Sequence, residues 1–188
     1  MREEIVAWAG DCMVRGSVEL EEGRLSDQLN EREVVTFYDA TLRSLDDGHE
    51  VAVGELEVER LELHLIPVKG RQGDPTKRIR TVEERVSLEL GPYWVTGNLH
   101  RMPTAQALAA LTRRTRFVPL TDAIVVMRDR PDDSPMQEDV VLVNLDRIGK
   151  TETVSLVPVM ADDWVDADRG PAADGGPAAD ILRGAAPA

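Results

Sequence analysis

The chain is poor in the residues that usually staple or anchor a small fold. It has one cysteine, two phenylalanines, two tyrosines and three tryptophans among 188 residues. Cys12 cannot form an internal disulfide, so a reducing compartment is expected. Aromatics at 4% leave the packing of the core to Val and Leu. No stretch approaches the roughly 18 apolar residues of a membrane span. The N-terminus "MREEIVAWAGDC" carries charge where a signal peptide needs an apolar core, so a cytoplasmic protein is expected. Positive charge is also scarce. Lys and Arg number 22 against 35 Asp and Glu, a net charge of -13, which opposes sequence-independent binding to nucleic acid or an anionic membrane.

The catalytic inventory is equally thin. His49, His64 and His100 are the three histidines, and no two have metal-ligand spacing, so neither metal nor cofactor is expected. Nucleophile-elbow, phosphate-loop, H-E-x-x-H and G-x-G-x-x-G motifs are absent. Cys12 has no neighbour that would lower its pKa, and packing is the better reading of it.

What the chain does contain is self-similarity. "GDCMVRGSV" (Gly10 to Val18) aligns with "GPYWVTGNL" (Gly91 to Leu99), and "VVTFYDATL" (Val34 to Leu42) with "FVPLTDAIV" (Phe117 to Val125). Further on, "VERL" matches "LDRI" and "LHLIPV" matches "VSLVPV". Colinear Gly, Asp-Ala and Pro anchors predict a tandem repeat. The expected organisation is a first unit over 1–68, a basic linker over 69–83, a second unit over 84–160 and a disordered Ala/Gly/Pro/Asp tail over 161–188.

Each unit reads mainly as strand. "RVSLEL" alternates apolar and polar residues, Gly10 and Gly91 suggest turns, and Gly16 and Gly97 suggest bulges or close backbone approach. "RLSDQLN" places Leu25 and Leu29 four apart, which predicts a short amphipathic helix with Asp27 at its first turn. "PTAQALAALTRRT" predicts its counterpart. "VVTFYDATLRSL" and "RFVPLTDAIVVM" read as the longest strands. Pro67 and Pro158 belong at sheet edges or strand ends. The expected fold is α+β and strand-rich, two ββαβββ-like units packed with approximate two-fold symmetry.

Asp39 and Asp122 are the only acids held at equivalent strand positions in both units. Each either bonds a neighbouring turn or faces a cleft shared by the units. Lys69, Arg71, Lys77, Arg78 and Arg80 form the one locally basic region, a solvated linker or a docking patch for an acidic partner. Arg113, Arg114 and Arg116 either extend that patch or complement a helix dipole. Trp164 and the pair Ile181-Leu182 are the apolar anchors of the tail, candidates for contact with a partner.

"RLSDQLN" followed by "FYDATL", and "FVPLTDAIV" followed by "VLVNLDRI", resemble an uncharacterised bacterial family of unknown function. Its pattern runs V-x-G, R-x-S-D-x-L-N, F-x-x-x-x-D-A and V-x-V-N-x-x-x-I. The first unit keeps the R-x-S-D-x-L-N motif and has "VEVERL" where the last Asn would stand; the second unit does the reverse. The resemblance implies no activity. A weaker likeness is to Sm-like small barrels, which also combine a short helix with five strands. Together these readings favour a non-enzymatic interaction or regulatory module with a protein partner. A small-ligand cleft between the units is the alternative, and an enzyme using Asp39 and Asp122 comes last.

Overall fold

A computed structural model of the chain describes residues 1–21, 24–68, 80–103, 116–130 and 133–153, which belong to one compact unit, Met1–Leu156. The chain begins with the hairpin β1 (Arg2–Trp8) and β2 (Cys12–Glu19), then helix α1 (Leu25–Glu31), β3 (Val34–Ser44) and β4 (Glu50–Glu59). A 3-10 turn, Arg60–Glu62, leads into the short β5 (Leu65–Pro67). The second half runs β6 (Val82–Leu90), β7 (Tyr93–Arg101), β8 (Phe117–Met127) and β9 (Met136–Asn144), then a 3-10 turn at Leu145–Arg147 and β10 (Ile148–Thr153). Strand β6 starts at Val82, so the last two residues assigned to the linker are strand.

All ten strands form one antiparallel sheet in the order β10-β6-β7-β8-β9-β5-β1-β2-β3-β4. Alternation in sequence becomes alternation in burial: Val14, Gly16 and Val18 are buried along β2, and Tyr93, Val95, Gly97 and Leu99 along β7. α1 forms because Leu25 and Leu29 bury one face while the Asp27 carboxylate accepts the Arg24 amide at 3.4 Å. Arg60 closes its other end. The buried guanidinium donates to the carbonyls of Leu29, Asn30 and Arg32 at 3.4, 3.3 and 2.8 Å, groups a helix C-terminus leaves without intrahelical partners.

The sheet wraps two apolar clusters. One is built on Ile5, Ala7, Val14, Val18, Leu25, Leu29 and Phe37, and takes Phe117 and Leu142 from the second half. The other is built on Val86, Leu88, Tyr93, Val95 and Leu120, and takes Leu65 from the first. Pro67 ends β5, opposite Val141. The predicted second helix, Arg113, Arg114, Pro158, Trp164, Ile181, Leu182 and the tail lie outside the described residues, as do Lys69, Arg71, Lys77 and Arg78.

Candidate functional site

The two halves meet where β5 adds to β9. Leu65, Ile66 and Pro67 pair with Val143, Leu142 and Val141, and the ladder is extended by the Val68 amide donating to Val140 and the Asn144 amide to His64, both at 2.9 Å. On its other side β5 meets β1 at Trp8, with the His64 amide donating to the Trp8 carbonyl at 2.8 Å. Leu65, Ile66, Val141 and Val143 are fully buried, so apolar burial and backbone pairing act together.

Two asparagines clip this joint. Asn144, fully buried at the end of β9, donates through Nδ2 to the carbonyls of Arg60 (3.1 Å) and Leu63 (2.7 Å) and accepts the Asp146 amide at Oδ1 (3.1 Å). It thereby satisfies carbonyls of the turn before β5, in the other half. Asn30, in α1, works in the opposite direction. Its Oδ1 accepts the amides of Arg116 (2.7 Å) and Phe117 (2.8 Å), and its Nδ2 donates to Ser26 (2.7 Å) and Phe117 (3.2 Å). A primary amide suits both places because it donates and accepts at once.

An aromatic group seals the far side. Tyr93 is buried edge-on to Trp8 (5.6 Å between centroids) and to His64 (5.9 Å), and donates its hydroxyl to the Ala9 carbonyl at 2.6 Å. Gly91 packs against His64 so closely that a Cβ would stand 2.6 Å from Nε2. Burial is the main cause that holds the His64 pKa below the ordinary histidine value. Cys12, packed on the first core, has its thiol pushed up to about 11 by burial and by Asp11, so it stays protonated at neutral pH. His49 is exposed in a loop, and His100 is exposed on β7 between Thr121 and Thr81.

Asp39 and Asp122 are not clustered in a cleft. Both are exposed and both adopt positive φ, 52° and 48°, at bulges where β3 and β8 pass Gly16 and Gly97. The glycines leave room for the bulge: a Cβ on Gly16 would lie 2.9 Å from the Tyr38 carbonyl oxygen, and one on Gly97 would lie 2.9 Å from Leu120 Cβ. The Asp122 carboxylate accepts from Asn98 at 3.0 Å and its carbonyl from Arg85 at 2.8 Å. The role these contacts describe is backbone geometry. Among the described residues a concavity of about 170 Å³ with walls including Glu3, Leu20, Leu25, Val140 and Leu142 lies between the halves, and another of about 420 Å³ has Trp8, Ser44 and Asp47 of the first half and Met127 and Arg130 of the second in its walls; neither aspartate lines either one. Arg80 is exposed, and Arg116 pairs with Asp146 at 2.6 Å.

No group of three His, Cys, Asp or Glu side chains among the described residues is arranged to hold a metal ion, and no helix there is long and apolar enough to cross a membrane. The sequence pointed to Leu25 and Leu29 but passed over the residues of the joint. Asn30 and Arg60 are clips with no local sequence signal, and Asn144 stands as a polar residue at the end of the apolar run "VVLV", which was the available signal. The chain matches no family model, no curated protein and no solved structure.

Proposed function

We propose that this chain is a non-enzymatic interaction module of the cytoplasm, made of two copies of one strand-rich unit joined head to tail, which engages protein partners by strand addition. The single observation that carries the reading is the β9–β5 joint, where the fourth strand of one half accepts the fifth strand of the other along its edge.

The repeat is supported by ladder registers. Trp8–Met13 corresponds to Glu89–Trp94, Ser17–Tyr38 to Asn98–Thr121, and Val35–Val58 to Val118–Val143. Isolated backbone bonds correspond too: Leu45 to Asp11 with Arg128 to Pro92, and Arg60 to Glu33 with Leu145 to Arg116. Register sets Val58 level with Val143, two residues earlier than the sequence match of "VERL" with "LDRI". Along the sheet the strands of the two units follow in the same order, with β4 and β10 at its two described ends.

The outer edge of β4 is the surface proposed for the partner. Among the described residues β4 has no ladder partner on this side, Val51 and Val53 are exposed there, and apolar residues on such an edge favour strand addition. Replacing both by Lys leaves stability within about 0.5 kcal/mol, as for other surface substitutions. The full chain, used as bait in lysate from its own source, is expected to retain a protein that the Val51→Lys/Val53→Lys chain releases. Retention indifferent to the edge, to loss of 161–188 and to neutralisation of Lys69, Arg71, Lys77, Arg78 and Arg80 would remove the reading.

A further inference from the structure

The joint between the halves has a counterpart at each end of the sheet. Leu65 stands level with Trp8 on β1, and Lys150 level with Glu89 on β6. Trp8 pairs with Met13 as Glu89 pairs with Trp94, so Lys150 takes in β10 the place that Leu65 has in β5. Val58 likewise takes in β4 the place that Val143 has in β9. Among the described residues β4 and β10 are the outermost strands, and each has an open edge. The backbone pattern alone would let β10 of one copy add to β4 of another as β5 adds to β9. Such a contact is heterologous and runs on into rings or filaments.

The side chains oppose it. Carried to the ends of the sheet, Leu65 opposite Val143 and Pro67 opposite Val141 become Lys150 opposite Val58 and Glu152 opposite Leu56. Leu65 is fully buried in the second core, whereas Lys150 and Glu152 are exposed and paired with each other at 2.5 Å. Docking would press this ion pair against Val58 and Leu56, which pack on the first core, and strip its water. Charges on the packing face are one way in which a strand edge resists pairing. On the opposite face of β4, Glu55, Glu57 and Glu59 are exposed in a row, level with Tyr38, Thr36 and Val34 of β3. None of the three is in an ion pair among the described residues. The edge therefore offers apolar and anionic contacts in alternation.

We propose that residues 55–59 of the β4 edge accept a strand of an unlike protein in which apolar and basic residues alternate. Its apolar residues stand level with Val58 and Leu56 and its basic ones level with the three glutamates, while Lys150 and Glu152 close this edge to a second copy of the chain. The proposal rests on strand addition at β4 and adds which strand is taken. Backbone pairing supplies the grip, and the alternation supplies the choice. The net charge of -13 also favours a basic partner over another copy.

The test uses the full chain and short blocked peptides in which leucine alternates with lysine, serine or glutamate, with binding read by fluorescence anisotropy. The lysine peptide is expected to bind about tenfold tighter than the serine peptide, and the glutamate peptide more weakly still. Glu55→Lys/Glu57→Lys/Glu59→Lys is expected to reverse this order, while Glu83→Lys/Asp129→Lys/Asp133→Lys, the same charge change in the second half, keeps it. N-methylation of alternate peptide amides is expected to abolish binding. In sedimentation the wild type is expected to be monomeric, and Lys150→Leu/Glu152→Leu to associate as concentration rises in a way the lysine peptide reverses. No binding of any peptide, or binding indifferent to N-methylation, would overturn the proposal together with strand addition at β4. Binding that N-methylation abolishes but that ignores charge, or whose preference survives the edge substitutions, would overturn the proposal and leave strand addition standing. A wild type whose self-association the peptide reverses, or a Lys150→Leu/Glu152→Leu chain that stays monomeric, would overturn the exclusion of a second copy.

Discussion

Asp39 and Asp122 hold φ values that cost an ordinary L-residue about 1–2 kcal/mol, and that Asp, Asn and Gly tolerate best. The pairing of each with a glycine across the ladder follows from the same bulge, since the strand that swells leaves no room for a Cβ opposite. This gives the Asp-Ala anchors of the sequence a backbone explanation that requires no carboxylate chemistry. Substitution at Asp122 separates the two. Asp122→Gly and Asp122→Val both lose the bond from Asn98, but only valine opposes the positive φ. Urea denaturation is expected to find the valine variant less stable than the glycine variant by ~1–3 kcal/mol. Equal stabilities would mean that the side-chain contact, not the backbone, is what the aspartate supplies.

At the scale of elements, the strands and α1 were legible because period-2 burial and the Leu25-Leu29 spacing are local patterns. The ladder order was not, because β5 is three residues long and its pairing with β9 joins residues more than seventy apart. The candidate site was hidden for a related reason: its polar residues act across the joint, so no sequence neighbour announces their partners. Comparison of the halves does not mark Asn30 either, because "PTAQALAALTRRT" has no asparagine to match it. Asn144 and Glu59 illustrate the point. They stand at corresponding ends of β9 and β4, yet Asn144 is buried against carbonyls of the other half and Glu59 is exposed at the end of the sheet. Asn144→Ala strips donors from two carbonyls and is expected to cost about 2–4 kcal/mol, at the upper end for lost buried bonds. Glu59→Ala is expected to stay within ~0.5 kcal/mol. Thermal melts of the two variants check this, and a Glu59→Ala loss as large as that of Asn144→Ala would refute the asymmetry.

For the whole molecule, the exchange of core residues decides whether the halves unfold separately. Phe117 and Leu142 sit in the first cluster, Leu65 in the second, and each contributes about 1.5–3 kcal/mol on burial. Three such residues amount to roughly 5 kcal/mol or more, before the asparagine clips are counted, and a domain's entire stability is about 5–15 kcal/mol. Opening one half alone would forfeit a share of that size, so the partly unfolded species is sparsely populated and unfolding is two-state. Trp8 lies at the joint, edge-on to Tyr93, whereas far-ultraviolet circular dichroism averages over the strands of both halves. In a chain carrying Trp94→Phe and Trp164→Phe, Trp8 fluorescence and circular dichroism are expected to share one midpoint in urea. Adding Asn144→Ala is expected to lower that midpoint for both signals together. A fluorescence transition that precedes the loss of circular dichroism would show that the joint opens first and that each half stands on its own core.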